Sequence, residues 1–418
     1  MLRRVGATFL ALLLVRGFAV LGPLIVMPFL VKTIGLEGWG MISFATAAAS
    51  FGGAVVQFGF SVSATAQIAR LRGSSAELAR RWRANFAGSS WLALAVLAAG
   101  LPAIALLEHQ LEMRLLLLGA LLMAIATSLV PVWLFMGLER MRGVIVSSLL
   151  NRLGYVILIL SIVRGPAQIP WVTLIGAAAA LAGLVASLIE VKREFGLSIG
   201  IVAPRAELRE ALRDGYPVFL MMSLPLLYNA GGVFLLGLTA PKTEVGLFSA
   251  CFTIVECAII GGRLLTNAGL AVVASDGRRH ARFARFAMGA GLAATVAIIA
   301  ASQPVARWLT PGQPDSVTIM TLLALSIPFA FAQLIFGQNY LAIQGQSALA
   351  SKIVIYPSLL GAGLLWIFVP SYGAVGLAAV MLICRILLGT GSMLAYRRHR
   401  DESLEREASE DCPVSCSR

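Results

Sequence analysis

Long apolar runs separated by short polar turns recur along the whole chain. A run of about 18 or more apolar residues is long enough to cross the bilayer's hydrocarbon core as a helix. About twelve such spans are predicted, near 5–31, 40–66, 86–107, 115–137, 143–163, 170–190, 216–238, 245–268, 285–305, 317–339, 353–370 and 373–396. Their connections are short apart from 67–85, 191–215 and 269–284. Two of these connections, SSAELARRWRANF and PRAELREALRDGYPV, read as interfacial helices, the first with a capping box at Ser74 and Glu77. The expected fold class is an all-α polytopic membrane protein of about 12 transmembrane helices in two six-helix lobes. Residues 1–197 would form the first lobe and 198–399 the second, entered through an amphipathic segment. The polar end, 400–418, is expected to be disordered. MLRR before an apolar run suggests a signal peptide, but the run is too long and lacks a small-residue cleavage site, so it is taken as a retained first span.

Composition agrees with that pattern. Of 418 residues, 59% are hydrophobic and 13% charged, with a mean hydropathy of +0.87; soluble domains carry about 25% charged residues. The net charge of +13 is unevenly placed. Twenty-four of the 33 basic residues fall on loops of one side and in the tail, and five fall on the other side. Basic loops stay cytoplasmic, so both termini are expected inside. The charge then reflects topology and attraction to anionic lipid, and nucleic acid is not an expected partner. Cys251, Cys257 and Cys384 lie within spans, and Cys412 and Cys416 lie in the tail. This spacing gives neither a disulfide framework nor a metal site.

The two halves repeat at an offset of 206 residues. GWGMISFATA from Gly38 lies over EVGLFSACFT from Glu244, matching Gly40 with Gly246 and Ser43 with Ser249. In the eighth span Ser249, Thr253, Glu256, Ile260, Arg263 and Asn267 recur at steps of three and four, on one helix face. The same offset gives Ser43, Ala47, Ser50, Ala54, Gln57 and Ser61 in the second span. Two equivalent helices thus carry polar stripes, which suit a wet cavity between the halves better than lipid. Helix-to-helix hydrogen bonding inside each lobe is the other reading.

Five ionisable residues fall deep within spans: Arg16, Arg152, Glu256, Arg263 and Arg385. A charge at the bilayer centre costs from about 2.5 to over 10 kcal/mol, so four arginines against one glutamate call for a function. A guanidinium binds phosphate through a planar fork, and the excess of cations points to an anionic headgroup. Snorkelling for Arg263 and bonding to carbonyls at kinks for the others are the structural alternatives. Pro23, Pro28, Pro131, Pro217, Pro225, Pro328 and Pro357 are candidate kinks. No P-loop pattern occurs, and His109, His280 and His399 lie in loops or the tail, so neither nucleotide hydrolysis nor an enzyme site is expected.

Three segments carry a family likeness: PFLVKTIGLEGWG from Pro28 to Gly40, QFGFSVSATAQIA from Gln57 to Ala69, and WLFMGLERMR from Trp133 to Arg142. They resemble segments of the polysaccharide repeat-unit flippases of O-antigen type, the Wzx proteins, in the multidrug/oligosaccharidyl-lipid/polysaccharide exporter superfamily. The resemblance implies a two-lobed fold like that of the multidrug exporters, with a cationic central cavity in the bacterial inner membrane. The cargo it implies is an undecaprenyl-pyrophosphate-linked oligosaccharide, moved from the cytoplasmic to the periplasmic leaflet by alternating access. Arg16, Arg152, Arg263 and Arg385 would hold the pyrophosphate, while Glu256, Ser249, Thr253, Asn267, Ser50 and Gln57 would line the cavity or couple transport to an ion. No cofactor is implied beyond a coupling proton or sodium ion. Membrane lipids, a polysaccharide polymerase and chain-length proteins are the implied partners. Gln57 stands where the family often has an acidic residue, leaving Glu256 as the deep carboxylate. A multidrug antiporter of the same superfamily is the alternative, though a cationic drug would favour carboxylates over arginines. A peptidoglycan-precursor flippase would be expected to add two further spans.

Overall fold

A computed structural model describes the backbone of residues 2–71, 75–273, 277–341 and 347–410, and side chains over 22–71, 75–266, 282–337 and 351–398. Among these residues the chain is helical with no strand. With no water in hydrocarbon, a crossing segment must satisfy its own backbone groups, and a helix does so. The helices are α1 (Leu2–Gln57), α2 (Phe60–Arg70), α3 (Ser75–Leu107), α4 (Leu111–Leu129), α5 (Val132–Gly137), α6 (Arg142–Ile162) and α7 (Ile169–Phe195). There follow α8 (Arg205–Thr239), α9 (Lys242–Val273), α10 (Gly277–Leu309), α11 (Ser316–Leu325), α12 (Ile327–Ala332) and α13 (Ser347–Glu410). A π-helical stretch, Gln333–Leu341, follows α12.

Ten helical stretches among the described residues are long and apolar enough to cross a membrane. Two are double length: Gly22–Arg70 with 49 residues and Ser351–Arg398 with 48. Each breaks at a glycine, Gly35 (φ 80, ψ 170) in α1 and Gly373 (φ 54, ψ −133) in α13. Positive φ is cheap only without a Cβ, so these glycines set the corners. Twelve crossings are compatible with this arrangement.

Local outcomes differ from expectation in several places. Helix continues through Pro23, Pro28, Pro217, Pro225 and Pro357, while the dihedral breaks in α1 and α13 sit at glycine. The second span interrupts at Phe58 (φ 40) and Gly59 (φ 74) before α2. The fourth interrupts before Pro131, the cap of α5. Of the tail expected to be disordered, 400–410 continue the α13 helix, consistent with the helix formers in ESLEREASE, and 411–418 lie outside the described residues. Ser74 of the expected capping box lies outside the described residues.

One core runs through α1, α4, α7, α8, α9, α11 and α13. A second, at the end rich in basic residues, gathers α2, α3, α5, α7 and the start of α8 around Trp82. Trp82 is fully buried, stacks on Phe86 at 4.9 Å, and donates its indole N–H to the Ser198 carbonyl at 2.9 Å. At the same end Arg81 pairs with Glu210 at 2.7 Å, and the Gln67 amide donates to Asp214 at 2.8 Å. These contacts clamp the first turns of α8 onto the first half.

Candidate functional site

The repeat meets itself in space. A Cβ added to Gly40 would lie 1.8 Å from the Lys242 carbonyl oxygen, and one added to Gly246 would lie 2.0 Å from the Leu36 carbonyl oxygen. Leu36 and Lys242 are related by the same offset as the glycines, so the contact has local two-fold character. Small residues let helix backbones approach this closely. Beside the glycines Phe44 stacks on Phe234 at 5.2 Å, and the Lys242 ammonium sits 3.9 Å from the Phe44 ring centroid. The two halves are therefore shut at this end.

The polar stripes run from that seal toward the basic end. On α1, Ser43 and Ala47 are buried, Ser50 is half-buried and Gln57 is exposed. On α9, Ser249 is buried, Thr253 and Glu256 are half-buried and Arg263 is exposed. Exposure rises along both helices toward the basic end, as expected for two walls of one cleft. The Asn267 side chain lies outside the described residues.

A cavity of about 410 Å³ opens between α1, α4 and α8. Ser50 and Gln57, both expected there, line it together with Thr46, Thr127, Ser128 and Ser223. The last four were missed, although Thr127-Ser128 interrupts the apolar run LLLLGALLMAIATSLV and could have been weighed as the other stripes were. The resemblance implies a cationic cavity; this one is lined by no ionisable side chain among the described residues.

The arginines are dispersed. Arg385 is buried in the second half, where its Nη2 donates to Glu256 Oε1 and its Nη1 donates to Ser326 Oγ at 3.1 Å. The expected anion binder and the expected coupling carboxylate are thus partners, on α13 and α9. Ser326 was not foreseen, because its role depends on α11 and α12 approaching both helices. Arg263 is exposed seven residues beyond Glu256, without a partner among the described residues.

Arg152, on α6, lines a separate cavity of about 250 Å³ against α1, with Tyr155 and Trp39. It too has no partner among the described residues, and the Trp39 indole N–H is buried without one. Buried tryptophan N–H groups usually find an acceptor. The walls of this space are almost wholly apolar and the indole nitrogen is fully buried, so the guanidinium of Arg152, an exposed residue, is the one charged group it offers an anion. The Arg16 side chain lies outside the described residues. No group of three or more histidine, cysteine, aspartate or glutamate residues is placed to hold a metal among the described residues.

Comparisons with known proteins identify a family by sequence and a fold by structure. The family model described as "Polysaccharide biosynthesis protein" matches residues 5–261, more than half of the chain. The chain is 27% identical over 406 residues to an Escherichia coli (strain K12) protein named "Putative O-antigen transporter", covering 93% of this chain and 95% of that one. It is 25% identical over 244 residues to a Shigella dysenteriae protein of the same name, covering 58% and 60%. Among solved structures, the fold resembles the lipid II flippase MurJ in an inward closed conformation (TM-score 0.72, 15% identity, 93% of this chain and 87% of that chain). It also resembles an inward-facing multidrug resistance MATE family transporter of the MOP superfamily (TM-score 0.57, 18% identity, 93% and 99%). At these identities the likeness is one of fold.

Proposed function

The chain belongs to the polysaccharide biosynthesis protein family, and from that premise we propose that it is a flippase for undecaprenyl-pyrophosphate-linked oligosaccharide repeat units. It carries them from the cytoplasmic to the periplasmic leaflet of the bacterial inner membrane. What carries the reading is the family match combined with an E. coli relative, named for O-antigen transport, that aligns over nearly its whole length. The asymmetric cleft supports it. Basic residues mark the open end as cytoplasmic, so the Gly40–Gly246 seal closes the periplasmic side and the cleft faces the compartment where the cargo is made.

Arg152 receives the diphosphate, and Arg263, exposed at the open end, draws it in. Arg16 shares this role from the first span. Arg385 is held by Glu256 and becomes available when a coupling cation, proton or sodium, neutralises that carboxylate. The lobes then rock about the cleft and open the sealed end. The polyprenyl tail stays in lipid throughout.

The test is complementation in cells lacking their own flippase. Arg152→Ala and Arg263→Ala should each lower surface polysaccharide about tenfold or more at unchanged protein level, since a charged hydrogen bond contributes about 1.5–3 kcal/mol. Undiminished display in both variants and in Arg16→Ala would reject the anion role.

A further inference from the structure

We propose that the cavity between α1, α4 and α8 is a subsite for the uncharged glycan of the cargo, and that it selects neutral over acidic sugars. This rests on the lipid-diphosphate reading above and deepens it, because the phosphate-binding groups lie elsewhere. A sugar presents hydroxyls that both donate and accept, and the walls offer both. Thr46 and Ser50 spend their hydroxyl hydrogens on backbone carbonyls at 2.9 Å (Ile42) and 2.6 Å (Ala47), which leaves oxygen lone pairs for a ligand. The Gln57 amide and the Thr127 hydroxyl, both on exposed residues, supply donors. The Ser223 hydroxyl is buried with no hydrogen-bond partner and lies in the same wall. Buried polar groups are rarely left so.

Two further features fit a sugar ring. Phe219 lines the cavity and stacks on Phe58 at 4.7 Å with 13° between planes, giving a rigid apolar face of the kind that carbohydrate C–H groups pack on. Gly53 lets α1 pack closely on α4 in the cavity wall, since a Cβ there would come 3.2 Å from Ser128 Oγ. At about 410 Å³ the space falls within the roughly 300–1,000 Å³ of small-molecule sites. A uronic or sialic acid placed here would exchange part of its carboxylate's hydration for hydroxyl and amide partners with no counter-charge in the lining, which is unfavourable. A hexose or an N-acetylhexosamine meets no such penalty.

The experiment is equilibrium binding to the purified full chain in detergent with three probes: a polyprenyl diphosphate without sugar, the same lipid bearing a neutral disaccharide, and one bearing a glucuronic-acid disaccharide. The neutral probe should bind about tenfold more tightly than the sugarless lipid, and the acidic one no better than the sugarless lipid. Gln57→Leu and Thr127→Val, both at exposed positions and so safe for folding, should each remove about three- to tenfold of the neutral gain while leaving sugarless binding unchanged. Equal affinity for the sugarless and neutral probes, or a gain untouched in both variants, overturns the subsite and leaves the flippase reading intact. Equal affinity for acidic and neutral probes overturns the selectivity. Failure of all three probes to bind overturns the flippase reading and the subsite together.

Discussion

Glu256 and Arg385 sit where a lone charge is least tolerable, and their pairing decides what a change to either does. Removing one partner of a fully buried ion pair costs about 3–5 kcal/mol, and the cost is smaller here because Glu256 is half-buried. Glu256→Gln should therefore lower thermal stability in detergent well beyond what a surface change would. Glu256→Gln combined with Arg385→Met should recover most of the loss, and additive losses would show that the two act separately. Sequence made these residues conspicuous as intramembrane charges, yet it could not pair them, because Glu256 and Arg385 are 129 positions apart. The same limit hid Ser326, and hid Trp39 as a neighbour of Arg152. Residues that meet only through tertiary packing carry no local signal.

Among the elements, the corner at Gly35 and the matched pair Gly40 and Gly246 govern how the halves meet. The turn in TIGLEGWG was readable from its glycines, and the offset had already aligned the pair. That the two glycines touch each other, rather than merely correspond, was not readable. Overpacking such a contact costs about 1–3 kcal/mol, enough to shift a two-state equilibrium roughly five- to 150-fold. Gly40→Ala or Gly246→Ala should hold the sealed end apart. Spin labels at Ala167 and Asp315, one on each half, should then show a dominant longer distance; a distribution like that of the parent protein would contradict the seal. The clamp at the other end is separate. Trp82→Ala removes the centre of the second core and should cost about 3–5 kcal/mol, read as a lowered unfolding midpoint.

For the whole molecule, hydrophobic period was enough to predict the helices, because it reflects the bilayer as solvent, while loop charge yields an expectation of sidedness. The interruptions at Phe58–Gly59 and before Pro131 escaped, since an apolar run looks alike whether or not it is broken. Sidedness is directly measurable. Asp315→Cys should react with an impermeant maleimide in intact cells, and Arg209→Cys only after permeabilisation; the reverse pattern would invert the cleft. The central claim is movement of a lipid-linked glycan between leaflets, and reconstituted proteoliposomes test it most directly. With a polyprenyl-diphosphate-linked neutral disaccharide placed in one leaflet, the protein should speed its arrival at a lectin outside the opposite leaflet, and Arg152→Ala should slow it about tenfold or more. Arrival no faster than in protein-free vesicles, under an imposed proton or sodium gradient, would contradict the account.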